Sequence, residues 1–100
     1  MQIKTDIREK TAHISIEGML DTLASETFQR EVASLRDAAV QDIEVDFSAT
    51  SYICSSALRV LLQAKQIAAL AGGEVRIKSP STFVLDVLKT VGFVAVFKIV

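Results

Sequence analysis

The sequence carries one cysteine, Cys54, and one histidine, His13, in 100 residues. A single cysteine rules out an internal disulfide and cannot build a cysteine-based metal site. A single histidine leaves no His–Cys zinc set and no HExxH helix, and it weakens any case for a histidine-based triad. Neither charge sign is in excess: 11 basic against 12 acidic residues give a formal net charge of −1. No basic footprint for nucleic acid or for an anionic membrane surface results, so another protein or a small molecule is the expected partner. Long apolar runs are also lacking. Stretches such as Ile67–Ala71 fall far short of a bilayer span, so no membrane insertion is expected. The opening MQIKTDIREK is charged and alternating, unlike a signal peptide, and the cytoplasm is the simplest compartment. Repeats, low-complexity tracts and linkers are absent, which points to one domain over residues 1–100. Half of the chain is apolar; that suffices for one core and leaves little room for a deep active site beside it.

What is present is a regular alternation of periodicities. Ile3, Thr5 and Ile7, then Ala12, Ile14 and Ile16, repeat every second residue around Glu9-Lys10, as in a β-hairpin whose second strand ends at Gly18. Asp21 and Thr22 offer an N-cap to a helix whose stripe is Phe28, Val32, Leu35 and Ala39. Ile43–Phe47 alternates as a third strand, and Ser48–Cys54 reads as a hydroxyl-rich loop. A second helix starts near Ser55 and leaves through Gly72-Gly73. Arg59, Gln63 and Gln66 form its polar stripe, which makes it the most buried helix expected. Glu74–Lys78 is a fourth strand. Ser79-Pro80 reads as a cap followed by proline at the first position of a third helix, with Val84, Val87, Leu88 and Val91 on its apolar face and Gly92 at its end. Val96–Val100 closes the chain as a short strand.

The order β-β-α-β-α-β-α-β predicts the α/β class, with a mixed, mostly parallel sheet behind an antiparallel hairpin. Polar Lys4, His13, Ser15, Glu44, Asp46, Arg76 and Lys78 alternate with the apolar positions. A parallel sheet covered on both sides lacks that alternation, so the helices are expected mainly on one face.

Chemistry in open α/β sheets collects where a strand's carboxyl end turns into a helix, here after Phe47. Ser55 and Ser56 lie there, at a helix start that favours negative charge. Local chemistry alone reads both serines as N-caps. Cys54, just ahead of the helix, also admits an enzyme reading, as the nucleophile of a small sulfurtransferase or phosphatase. Against it, four residues separate Cys54 from Arg59 where cysteine phosphatases need five, and Ala57-Leu58 provides no glycine for an anion cradle. A partly buried structural thiol is the plainer reading. His13 is expected as a sheet-face histidine, and Phe83 and Phe93 as core or helix-end packing.

The run from Val45 to Leu62, VDFSATSYICSSALRVLL, resembles the signature of STAS-domain anti-sigma-factor antagonists. There a strand with Asp near its end leads into an aromatic-Ile/Met-Asp-Ser-Ser/Ala-Gly-Leu-x-x-Leu helix start. The likeness extends over the chain, through the hairpin, Gly18 ahead of Leu20-Asp21, Gly72-Gly73 and Ser79-Pro80. Cys54 stands where the family usually has Asp, and Ala57 where it has Gly. The resemblance implies a bacterial partner switch without catalytic activity or cofactor; the partly open sheet face permits but does not demand a dimer, so a monomer or weak dimer is expected. In it the unphosphorylated protein binds an anti-sigma factor that is also a serine kinase with a histidine-kinase-like ATPase fold, freeing a sigma factor. The kinase then phosphorylates Ser55, and a metal-dependent serine phosphatase resets the switch. Asp21, Thr22, Cys54, Ser56 and Arg59 are the implied contact residues around Ser55. The alternative within the same fold is a scaffold or ligand-binding module that is not phosphorylated.

Overall fold

A computed structural model describes the whole chain, Met1–Val100. The opening hairpin forms as its alternation predicts: β1 (Gln2–Arg8) lies antiparallel to β2 (Thr11–Leu20), with Ile3 beside Ile16 and Thr5 beside Ile14. Glu9 and Lys10 both take positive φ, 50° and 68°, the left-handed pair that a two-residue turn needs to match the strand twist. Gly18 does not end β2. It sits at φ 99°, where the register shifts, and the strand continues to Leu20.

Asp21 caps α1 (Thr22–Ser34), its Oδ1 accepting the Ala24 N–H at 2.9 Å. Phe28, Val32 and Leu35 are buried as expected, but the α-helix stops at Ser34 and a 3-10 turn follows (Leu35–Asp37). Ala39 is consequently exposed at φ 55°, and Val40 takes the core position in its place.

The larger correction lies after β3 (Asp42–Asp46). The segment expected as loop holds a further strand, β4 (Thr50–Ile53), so the order is β-β-α-β-β-α-β-α-β. β3 pairs in parallel with the first half of β2, and β4 pairs in parallel with its end. The two act as one strand broken by a turn, in which Asp46 Oδ1 accepts the Ser48 N–H at 2.8 Å. Buried Thr50 fastens β4, its hydroxyl donating to the Ile16 carbonyl at 2.6 Å. Hydroxyl-rich composition hid the strand, whose Thr-Ser-Tyr-Ile sequence is otherwise compatible with a pleat.

α2 (Ser55–Leu70) follows at once. It buries Ala57, Val60, Leu61, Ala64, Ile67 and Ala68, more positions than either other helix, although Leu70 is 88% exposed. Its exit uses the two glycines differently. Gly72 adopts the left-handed φ of 78°, whereas Gly73 is required because any Cβ there would overlap the Gln41 carbonyl oxygen. After β5 (Val75–Lys78), Ser81 caps α3 (Thr82–Thr90), not Ser79. Pro80 precedes the cap and is not the first helical residue. The final strand shrinks to β6 (Lys98–Ile99), because Phe93–Ala95 forms another 3-10 turn.

The sheet order is β1-β2-β3-β5-β6, with β4 beside β2. Ile14, Ile16, Ile43, Val45, Phe47 and Ile77 face the helices and are buried, together with Phe28, Leu61 and Leu88. The other face carries the expected polar row and is open. Across it His13 Nδ1 lies 3.2 Å from Glu44 Oε2, and Arg76 lies 3.9 Å from the same carboxylate. Each buried large apolar side chain contributes roughly 1.5–3 kcal/mol, so this one-sided core is what holds the strand ends, and the site on them, in place.

Candidate functional site

Two helix N-termini emerge side by side from two adjacent parallel strands. β2 ends at Leu20 and delivers Asp21 to α1; β4 ends at Ile53 and delivers Cys54 to α2. Leu20 and Ile53 are register partners, and the Cys54 N–H donates to the Leu20 carbonyl at 3.1 Å. This pairing gathers Asp21, Thr22, Cys54, Ser55, Ser56 and Arg59 at one corner of the molecule.

Their roles within the corner differ from the sequence reading. Cys54, not a serine, is the N-cap of α2, with φ −98° and ψ 171°. Ser55 is therefore the first helical residue. It is exposed, and its hydroxyl makes no hydrogen bond within the chain. Ser56 is half-buried and faces a groove of about 330 Å³ between α1 and α2. Thr22, Arg59, Ser25 and Gln63 also line that groove, whereas Ser55 lies outside it. Arg59 is exposed, pairs with no carboxylate, and stands one helical turn after Ser55.

Ser25, which sequence reasoning missed, ties the corner together. It is 3% exposed; its hydroxyl lies 2.7 Å from the Asp21 carbonyl and 3.2 Å from the Cys54 sulfur. One proton serves one of those two acceptors. Aimed at Asp21 it leaves the thiol as donor to Ser25; turned to the sulfur it favours a thiolate. Ser25 falls on the same helical stripe as Phe28, Val32 and Leu35, three residues before Phe28 and seven before Val32, and that spacing marks it as inward-facing; the packing of α1 against α2 then supplies its partner, Cys54.

Burial pushes the Cys54 thiol up, but hydrogen bonding by Ser25, the Ala57 and Ser56 amides and the Thr22 hydroxyl outweighs it, and the pKa lies below the ordinary thiol value. The sulfur forms no cap bond of ideal geometry with the helix; the two amides are nonetheless near enough to favour the anion. The groups acting on the sulfur are hydroxyls and amides, with no carboxylate or imidazole among them to serve as a general base. No cluster of three or more His, Cys, Asp or Glu side chains is placed to hold a metal ion, and no helix is long and apolar enough to cross a membrane.

An apolar fringe surrounds the corner. Met19 and Tyr52 are register partners pointing outward, 54% and 37% exposed, and Leu23 in the first turn of α1 is 75% exposed. Phe83, in the first turn of α3, is the helix-end alternative and not core: it is 47% exposed and packs on Tyr52 with ring centroids 5.6 Å apart. Phe93 packs as expected too, 5.2 Å from the Phe97 ring. Exposed aromatics beside unpaired polar groups are the composition of a protein-binding surface.

A family model described as STAS domain matches residues 2–100. No curated protein matches the chain. Among solved structures, the chain is similar to the anti-sigma factor antagonist SpoIIAA in its unphosphorylated form, at 20% identity and TM-score 0.82 over 99% of this chain and 87% of that one. The phosphorylated form of SpoIIAA, the Bacillus cell fate determinant, gives 20% identity and TM-score 0.80 over 99% and 91%. An anti-sigma factor antagonist from Mycobacterium paratuberculosis gives 12% identity and TM-score 0.86 over 98% and 83%. At these identities the likeness concerns the fold.

Proposed function

The chain belongs to the STAS-domain family, and from that premise we propose that it is an anti-sigma-factor antagonist, a bacterial cytoplasmic partner switch set by phosphorylation of Ser55. Residues 1–100 form the switching unit. It catalyses nothing itself. Unphosphorylated, it sequesters an anti-sigma factor with serine-kinase activity; phosphorylated, it lets go; a serine/threonine phosphatase resets it.

The observation that carries this reading is the placement of Ser55. It is exposed at the first position of α2, its hydroxyl free of internal hydrogen bonds, and bordered by Asp21, Thr22, Cys54, Ser56 and Arg59 and by the apolar fringe of Met19, Leu23, Tyr52 and Phe83. A phosphate adds about −1.5 to −2 charges at neutral pH. At a helix N-terminus that charge is favourable by roughly 0.3–1 kcal/mol, so the fold persists. In a docked interface the same dianion must be desolvated, at a cost of several kcal/mol when no cation meets it, and each ~1.4 kcal/mol is a tenfold loss of affinity. Phosphorylation on this account changes the surface and leaves the core alone.

A second reading, a scaffold or ligand-binding module that is never phosphorylated, draws support from the polar groove between α1 and α2. Incubation with ATP and the host's candidate anti-sigma kinase, read by intact mass and peptide mapping, separates the two. One phosphate on Ser55 is expected, with pull-down of the kinase retained by Ser55→Ala and lost by Ser55→Asp. No phosphate, together with full binding by Ser55→Asp, would overturn the switch in favour of the scaffold.

A further inference from the structure

β1 is an edge strand. It pairs with β2 on one side and with nothing on the other. The two-residue turn makes Arg8 and Thr11 the hydrogen-bonded pair at the hairpin end. Alternation along the ladder then turns the backbone groups of Gln2, Lys4, Asp6 and Arg8 toward β2, and those of Ile3, Thr5 and Ile7 outward, where they are unpaired.

The side chains of this edge complement a copy of themselves. Thr5 is the midpoint of β1 (Gln2–Arg8). An antiparallel pairing about a two-fold axis through Thr5 sets Lys4 opposite the partner's Asp6, Ile3 opposite the partner's Ile7, and Gln2 opposite the partner's Arg8. Lys4 and Asp6 lie exposed on the open face of the sheet; in this register they form the non-hydrogen-bonded pairs, where side chains approach most closely. Asp6 already holds Arg8 at 2.9 Å through Oδ2, which leaves Oδ1 for the incoming ammonium. On the helix side, Ile7 is 46% exposed and would be covered by the partner's Ile3. Thr5 Oγ1 is the one buried side-chain polar atom in the chain without a hydrogen-bond partner. The proposed axis sets the two Thr5 side chains opposite each other, and a χ1 rotation that turns this inward-facing hydroxyl to the edge would let the pair bond across the strands.

We propose that the chain self-associates by antiparallel β1–β1 pairing about Thr5, which joins two sheets into one. The occupant of the edge is a second copy, since charge order and apolar positions match in the same register, with the two Thr5 residues at its axis. A register centred on Ile7 would also pair Asp6 with the partner's Arg8, but it sets Thr5 against the twisted turn residue Glu9 and leaves Lys4 facing a lysine. This inference does not rest on phosphorylation of Ser55.

Sedimentation velocity on the full chain over a concentration series tests it. The wild type is expected to pass reversibly from a 10.9 kDa monomer to twice that mass. Lys4→Asp and Asp6→Lys each set like charges against each other and should weaken the dimer at least tenfold. An equimolar mixture of the two variants should dimerise again, because an all-acidic edge then faces an all-basic one, and the double variant Lys4→Asp/Asp6→Lys should recover self-association alone. Circular dichroism of each variant separates lost pairing from lost folding, and the double variant keeps the test decisive if a single one fails to fold. A wild type that stays monomeric into the millimolar range overturns the proposal. So does a dimer indifferent to both charge reversals, which would lie on another surface.

Discussion

The Ser25 hydroxyl lies 3.2 Å from the Cys54 sulfur, across the seam between the first turns of α1 and α2. The contact joins the two chain segments that enter the Ser55 corner, so it sets how rigidly that corner is held. It also places a polarisable, acid-shifted thiol directly before the exposed serine.

Replacing Ser25 with alanine should therefore act twice. The Cys54 thiol pKa rises, because the first of the hydrogen bonds opposing its burial is gone. Stability falls by about 1 kcal/mol, the usual net worth of a lost hydrogen bond. Thiolate absorbance against pH and urea midpoints measure the two effects. An unchanged thiol titration would show that the helix amides alone shift it.

Stability should depend on pH through the same thiol. Its pKa is lowered in the fold, so the unfolded chain binds more protons between the folded value and the ordinary thiol value of about 8.5. Stabilisation from Cys54 is complete above that ordinary value and is lost as pH falls through the folded one. Relative to Cys54→Ser, which cannot ionise, the wild type should gain stability as pH rises from neutrality toward about 9. Paired urea titrations across that range check the sign; parallel curves would contradict it.

Leu23→Glu separates surface from core. Leu23 is 75% exposed, and the first turn of α1 holds no acidic residue. A carboxylate there should leave stability unchanged or raise it by roughly 0.3–1 kcal/mol. If the fringe beside Ser55 is the docking surface, affinity for the candidate anti-sigma factor should drop tenfold or more, read by calorimetry beside a thermal melt.

Gly73→Ala should damage the fold more than any change at the corner. Its Cβ would overlap the Gln41 carbonyl, a backbone atom that cannot swing away. A loss of about 3 kcal/mol is expected, as for severe overpacking. Gly72→Ala, limited by its left-handed φ and with no close neighbour for a Cβ, should cost about 1 kcal/mol. Equal midpoints for the two variants would refute the close-approach account of Gly73.

Periodicity in the sequence determined the class of fold, the hairpin, the three helices and the one-sided placement of the helices, since alternation and helical stripes are local records of which face is buried. It also determined that a helix starts near Ser55, although the residues before it read as a loop. Tertiary structure alone decided the rest. β4 exists because Gly18–Leu20 offers it a pairing edge, and its own hydroxyl-rich sequence carries no sign of that edge. Cys54 takes the cap because β4 ends one residue before it. Ser25 reaches Cys54, and Tyr52 reaches Phe83, only through the docking of elements distant in the chain. Contacts between such elements depend on how helices and strands pack in three dimensions, which no local spacing encodes.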